Sequence, residues 1–404
     1  MGWTSELLSV LDARGYIHQV TNAEGLDALA AAGPIAGYVG FDLTAPSLHV
    51  GSLVQIMLLR RLQQTGHRPV VLLGGGTSQV GDPSGRDESR QLLTAEGIAA
   101  NKATISEIFG RFLDLDQALV VDNADWLNAL QYISFLRGVG THFSVNRMLT
   151  MDSVKLRLER EQPLSFIEFN YMVLQAYDFL ELSRRHDVRL QLGGSDQWGN
   201  IVTGVELARR VDGRELFGLT TPLITTADGS KMGKTAQGAV WLRADALSPY
   251  DYWQYWRNTH DADVGRFLRL FTDLPLDEIA RLEALGGAEI NEAKKILADA
   301  TTAMAHGTEA AAEARRTAEA TFEAGAVGEA LPTLRLAAER VGLVEALVGL
   351  GLAASKAEAR RLIAQGGARV DGEPVGDVEA MVELGPVPRR LSAGRKRHGI
   401  VQRD

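Results

Sequence analysis

The sequence predicts an α/β fold, a doubly wound parallel sheet within the first 225 residues, followed by a helical region and a small α+β segment. Three observations predict it. Short apolar runs alternate with longer amphipathic segments, and two of the runs end directly in glycines. Strand, glycine and helix in repetition is the pattern of a doubly wound sheet. Residues 247–325 are alanine-rich, with apolar positions at helical spacing and no clear strand pattern. Beyond Gly342, helix-like stretches give way to a short strand and a tight turn.

Taken in order, Tyr38 to Phe41 reads as a strand and Leu48 to Gln64 as the helix that follows. Pro69 to Leu73 is a second strand, ending in Gly74-Gly75-Gly76. Ala118 to Val121 is a third, and Val188 to Leu192 a fourth, ending in Gly193-Gly194. Ligands of such sheets bind outside the carboxyl ends of the strands, so function is expected there. After Trp241 the pattern turns helical, as at Ile279, Leu282 and Leu285. Gly325 to Pro332 is a small-residue stretch suited to a linker. Leu343 to Leu350 and Ser355 to Ile363 read as helices, and Gly366 to Gly372 as strand and turn. The expected domains are 1–225, 226–325 and 342–404, with 326–341 as linker.

Composition bounds the function. A chain of 404 residues with 45% apolar and 23% charged residues suits a globular protein of two or three domains. Cysteine is absent, which excludes disulfides, thiol catalysis and cysteine-ligated zinc. The amino terminus lacks a basic and apolar leader, and Val70 to Leu73 is too short to span a bilayer. A cytoplasmic enzyme without a membrane partner is the expectation. The net charge is 42 − 51 = −9; residues 335–404 carry 12 − 9 = +3, leaving 30 − 42 = −12 for the rest. An acidic body argues against a protein that only coats nucleic acid. The basic tail, with Arg389-Arg390 and Arg395-Lys396-Arg397, leaves room for a local RNA contact.

Generic phosphate motifs fail. Gly76 to Gly81 begins like a Walker loop, but Asp82 stands where lysine is required. Gly233-Lys234-Thr235 ends like one, but Asp228 replaces its first glycine. Gly74-Gly75-Gly76 has Gln79 where a dinucleotide fingerprint needs glycine. Two other elements suit a nucleotide. Leu48-His49-Val50-Gly51 enters a helix, where free N–H groups and the dipole favour an anion. Lys231-Met232-Gly233-Lys234-Thr235, 182 residues beyond His49, offers two lysines to clamp a triphosphate and neutralise a leaving pyrophosphate. Tyr171, Gln175 and Asp178 share one helix face at i, i+4 and i+7. Three polar groups among Met172, Val173 and Leu174 are costly to bury unless they bind something.

The histidine motif and the lysine loop, in this order, resemble the two signatures of class I aminoacyl-tRNA synthetases. The strings Tyr38 to Ala45, Gly81 to Arg86, Asn170 to Asp178 and Gly193 to Asn200 narrow the resemblance to the bacterial tyrosyl-tRNA synthetases, over essentially the whole chain. The resemblance implies a Rossmann-like catalytic domain, a helical domain on the anticodon side and a small RNA-binding domain like that of ribosomal protein four. It implies ligation of L-tyrosine to its tRNA through tyrosyl-adenylate, with ATP carrying Mg²⁺, in a homodimer. Tyr171, Gln175 and Asp82 would hold the tyrosine ammonium, Tyr38 and Asp178 its phenol, and Gln197 its carboxylate region. Gly40, Asp42, His49, Gly51, Gly194, Asp196, Lys231 and Lys234 would surround ATP. Ser52 and Thr235 would join His49, Lys231 and Lys234 in catalysis. Lys356, Arg360, Arg361, Arg395, Lys396 and Arg397 would meet tRNA. Ser52 departs from the histidine or asparagine of many members, Val39 from a cysteine near the ribose, and Met232-Gly233 and Thr235 from the usual serine-containing loop. A tryptophan-specific sister is disfavoured, because Tyr38 and Asp178 suit a hydroxyl that donates and accepts, whereas an indole only donates. A retired synthetase acting as an RNA-binding factor is disfavoured by the intact His49, lysine loop and polar helix face.

Overall fold

A computed structural model describes residues 2–84, 93–227, 229, 232–235, 238–323, 331–385, 387–394 and 397–404, with the backbone alone for 234, 235 and 321–323. The chain forms two compact units, Met1–Lys234 with Trp241–Arg243 and His260–Ile290, and Thr235–Val240 with Ala244–Thr259 and Asn291–Asp404.

The first unit is built on a six-stranded sheet of β1 (Gln19–Val20), β2 (Ala36–Asp42), β3 (Arg68–Gly74), β4 (Leu119–Asp122), β5 (Val188–Gly194) and β6 (Phe217–Thr221). Its order is β1-β6-β5-β2-β3-β4, parallel except for β1, which runs antiparallel along the edge of β6. The apolar runs of β3 and β5 are buried on both faces, as a parallel sheet requires. Strand order reverses between β2 and β5, and a crevice opens at such a switch point. The helix Val50–Gln64 follows β2 with His49 as its N-cap, two residues later than the sequence suggests. The helix Phe166–His186 crosses one sheet face, opened by a reciprocal capping box between Ser165 and Glu168. Phe179, Leu180 and Val173 bury it against Tyr38, Val70 and Leu72.

Residues 226–325 read from sequence as one helical domain, but the structure shares their helices between the units. Val264–Phe271 and Leu276–Glu283 belong to the first. The cause is a set of long-range hydrogen bonds: Arg14 donates to the carbonyls of Arg269, Thr272 and Leu274, Tyr16 to that of Leu270, and Arg61 to that of Thr272. The second unit contains the helices Pro249–Arg257, Ile290–His306 and Thr308–Glu323, in which Trp253 donates to Asp299 at 2.7 Å.

The C-terminal segment has its own core, centred on Leu343, Leu347, Ile363, Leu391 and Val401. After a short pair, β7 (Lys234–Thr235) and β8 (Gly238–Ala239), its strands are β9 (Thr333–Leu336), β10 (Arg340–Gly342), β11 (Ala368–Val370), β12 (Glu373–Pro374), β13 (Met381–Glu383), β14 (Arg389–Ala393) and β15 (Arg397–Arg403). β9 pairs in parallel with β15, so most of residues 333–341, read as linker, belong to these sheets. A partner some 67 positions away (Thr333 against Ile400) leaves no local trace in the sequence. Residues 324–330 lie outside the description. The tight turn expected after Val370 is present, with Asp371 and Gly372 both at positive φ between β11 and β12.

Candidate active site

The site lies between β2 and the helix Phe166–His186. Alternation along β2 puts Tyr38, Gly40 and Asp42 on one face, and helical spacing puts Tyr171, Gln175 and Asp178 opposite. The two rows run antiparallel. Phe179 packs on the Tyr38 ring at 5.3 Å, and the Tyr171 hydroxyl donates to Asp42 at 3.4 Å. Four strand residues span about 13 Å and seven helical residues about 10 Å, enough to flank an amino acid with a long side chain. Gly40 leaves the middle open, since a Cβ there would meet only a Leu72 methyl at 3.9 Å. Gln175, midway along the helical row, has a buried Oε1 without a hydrogen-bond partner among the described residues.

One end of the crevice holds a buried carboxyl and a buried phenol. Asp178 is 1% exposed and accepts from Asn123 Nδ2 at 2.8 Å and from Trp126 Nε1 at 2.7 Å. Burial still dominates and holds its carboxyl at about 8, the two hydrogen bonds opposing and Asp42 and Asp122 reinforcing the rise. Tyr38 is equally buried, and its hydroxyl has no partner among the described residues. Burial, and then the Asp178 charge, push that phenol well above its ordinary value. Asn123 is itself oriented: its Oδ1 accepts from Gly76 N at 2.8 Å, and its Nδ2 also donates to Thr77 Oγ1. Thr77 passes the network to Asp42 at 3.0 Å.

The other end is acidic and amide-lined. Asp82 accepts from Ser84 N at 2.8 Å and from Gln197 Nε2 at 2.9 Å. Gln197 also donates to Asp196, and its Oε1 accepts from Asn200. Asp196 is exposed, and Gly194 lets its carboxylate lie against the backbone, where a Cβ would stand 2.5 Å from Oδ1.

The histidine motif and the lysine loop meet. His49 Nδ1 accepts from Gly51 N at 2.9 Å, so a neutral imidazole carries its proton on Nε2 and presents a donor. Ser52 N donates to His49 O at 2.8 Å in the first helical turn. A Cβ on Gly51 would stand 3.1 Å from Met232 O, and one on Gly233, at φ +86°, only 2.6 Å from Gly51 N. Glycine at both positions permits this approach. Lys234 and Thr235 form β7, with side chains outside the description; Lys231, Gly85 and Arg86 also lie outside the described residues.

In the C-terminal segment, Lys356, Arg360 and Arg361 are exposed on the helix Lys356–Ala364, whose other face buries Ala359 and Ile363. Lys356 pairs with Glu345 at 3.3 Å. Arg397 is half-buried at the start of β15, while Arg395 and Lys396 lie outside the described residues. Sequence reasoning missed Asn123, Trp126 and Thr77. Their signal is position: Asn123 directly follows β4 and Thr77 lies three residues past β3, at carboxyl ends of strands.

Comparison with known proteins agrees in fold and sequence. The family of class I tRNA synthetases (W and Y) matches residues 30–323, and the tyrosine–tRNA ligase SYY-like C-terminal domain matches residues 312–386. The chain is 65% identical over 402 residues to the tyrosine–tRNA ligase of Zymomonas mobilis, with 98% of each covered. It is 64% identical to that of Novosphingobium aromaticivorans, with 99% of each covered. Among solved structures it resembles a C-terminally truncated mitochondrial tyrosyl-tRNA synthetase of Aspergillus nidulans, with TM-score 0.71, 29% identity, and 78% of this chain and 94% of that one covered. The corresponding Coccidioides posadasii structure gives 0.67 at 31% identity, covering 77% and 91%.

Proposed function

The chain belongs to the tyrosine–tRNA ligases of the class I tRNA synthetase family, and on that premise we propose which residues carry each part of its reaction. It is an enzyme that activates L-tyrosine with ATP, releasing pyrophosphate, and transfers the tyrosyl group from the adenylate to the 3′ end of its tRNA. The observation that carries the residue assignment is the presence, at one end of a crevice, of a carboxyl held by Asn123 and Trp126 together with the Tyr38 hydroxyl, which has no hydrogen-bond partner among the described residues. A phenol O–H donates to Asp178 and its oxygen accepts from Tyr38. An indole satisfies only the first of these.

At the other end Asp82, Tyr171 and Gln175 receive the ammonium, and Gln197 faces the carboxylate. That carboxylate attacks the α-phosphorus of ATP; the new P–O bond forms as the bond to pyrophosphate breaks. No enzyme nucleophile is needed, so catalysis consists of positioning and of charge placed where it develops. His49 donates from Nε2 to the phosphates, the Gly51 amide and Gly40 let the nucleotide lie close, and Asp42, Gly194 and Asp196 line its ribose side. Lys231 and Lys234 neutralise the departing pyrophosphate, Ser52 and Thr235 assist them, and Mg²⁺ arrives on the ATP. The exposed helix bearing Lys356, Arg360 and Arg361, with the Arg395–Arg397 run, meets the tRNA backbone.

The enzyme works as a cytoplasmic homodimer in this reading. Tyr132, Ile133, Val145 and Phe166 are between 59% and 71% exposed in the isolated chain, apolar side chains that a second subunit would cover. No helix among the described residues is long and apolar enough to cross a membrane. Charging of tyrosine tRNA with labelled tyrosine tests the assignment when run beside Asp178→Asn. Loss of charging in the variant at unchanged ATP affinity supports it, and undiminished charging removes Asp178 from the site.

A further inference from the structure

The structure assigns a positioning role to Asp263 and Arg266, which grip the root of the lysine loop; the assignment rests on the catalytic reading of that loop. Asp263 is 4% exposed and sits at the start of the helix Val264–Phe271. Its Oδ2 accepts from the main-chain N of Ala227 at 2.7 Å, and its Oδ1 from Arg266 at 2.7 Å. Arg266 in turn donates to the carbonyl of Thr225 and lies over the Phe267 ring. One buried carboxylate and one guanidinium thus fix the backbone four to six residues before Lys231. The loop is closed below its tip by Met232 N donating to Ile224 O at 3.2 Å. Its far side rests on Gly51 and His49 through Gly233.

The helix that carries this grip is pinned at its other end. Tyr16 donates to the carbonyl of Leu270 in its last turn, Arg14 and Arg61 to carbonyls just beyond it, and Arg61 pairs with Asp273 at 2.6 Å. Arg61 belongs to the helix whose N-cap is His49. The segment Asp263–Leu274 is therefore a strut, joined at one end to the loop root and at the other to the far end of the histidine helix. It thereby ties the loop root at Thr225 and Ala227 to the helix that His49 caps. Placement of a charged group to a fraction of an ångström decides whether it meets the pyrophosphate as charge develops. None of the residues proposed to bind tyrosine lies in the strut, so its effect falls on the chemical step.

The test is steady-state ATP–pyrophosphate exchange on the full chain with Asp263→Ala, Asp263→Asn and Arg266→Gln. The Arg266 side chain is 40% exposed, so Arg266→Gln carries the test should Asp263→Ala fail to fold. Each variant is expected to lower kcat by about 10- to 100-fold, the scale of a small misplacement remote from the chemistry, at unchanged KM for tyrosine. Asp263→Asn, which keeps an oxygen for Ala227 N, recovers part of the rate. In a Lys234→Ala background the further loss shrinks to about twofold or less, because the group being positioned is already gone. An unchanged kcat in a variant that melts like the parent overturns the role, as does an equal loss with and without Lys234. Lys234→Ala exchanging at the full rate would instead overturn the reading of the loop itself.

Discussion

Trp126 donates its indole N–H to Asp178 Oδ1 at 2.7 Å, yet the carboxyl titrates at about 8 rather than near 3.8. Burial outweighs two hydrogen bonds, and stability inherits the difference. Between those two values the folded chain holds a proton that the unfolded chain has lost, so stability falls as pH rises through that window. The melting temperature of the ligand-free protein should decline from about pH 5 to about pH 8, and Asp178→Asn should remove this part of the decline. Saturating tyrosine should flatten it as well, because a phenol O–H stabilises the ionised form. Identical slopes for parent and variant would show that Asp178 does not titrate in this window.

Tyr38→Phe deletes one hydroxyl and leaves the ring against Phe179. The lost hydrogen bond to substrate is worth about 0.5–1.5 kcal/mol, a few-fold to roughly tenfold in kcat/KM for tyrosine. Phenylalanine, which never used the hydroxyl, should be activated as before or slightly better. The ratio of the two kcat/KM values therefore narrows, and an unmoved ratio would place the reading of the hydroxyl elsewhere.

Lys234→Ala should act on the chemical step. Removal of one preorganised charge at a developing anion costs about 2.7–4 kcal/mol, or roughly 10²- to 10³-fold in rate. Tyrosine affinity, measured by equilibrium dialysis, should stay unchanged. Weakened tyrosine binding of the same size would make the lysine a ground-state contact.

A chain ending near Gly325 should still exchange pyrophosphate. The core removed with the tail is made of residues within 341–401, and the residues assigned to adenylate chemistry all precede Gly238. Charging of tRNA should collapse, and in the intact enzyme charging should fall with salt more steeply than exchange, because phosphate contacts release counterions. Full charging by the short chain would make the basic tail a solvated surface only.

The legible part of the site was the part carried by one element at a time. Tyr171, Gln175 and Asp178 project from one helix, so their spacing was sufficient to group them. His49 and Gly51 announce themselves where a strand enters a helix. Asn123 and Trp126 were not legible, because their roles exist only once β4 brings them against a helix more than 50 residues on. Strand β6 escaped for a packing reason: Gly218 interrupts its apolar run, yet a Cβ there would stand 2.3 Å from Ile201 Cγ2. Edge strand β1 is two residues long and owes its existence wholly to β6. The sharing of residues 226–325 between two units turned on Arg14, Tyr16 and Arg61, whose targets lie more than 200 positions away.

Amino-acid-dependent ATP–pyrophosphate exchange without tRNA, run with tyrosine, phenylalanine and tryptophan on the intact chain, tests most directly the proposal that Tyr38 and Asp178 read the phenol. Tyrosine should support rapid exchange, phenylalanine should be rejected for lack of a group to meet Tyr38 and Asp178, and tryptophan should be inert. Exchange with tryptophan or phenylalanine at a rate comparable to tyrosine would contradict the account.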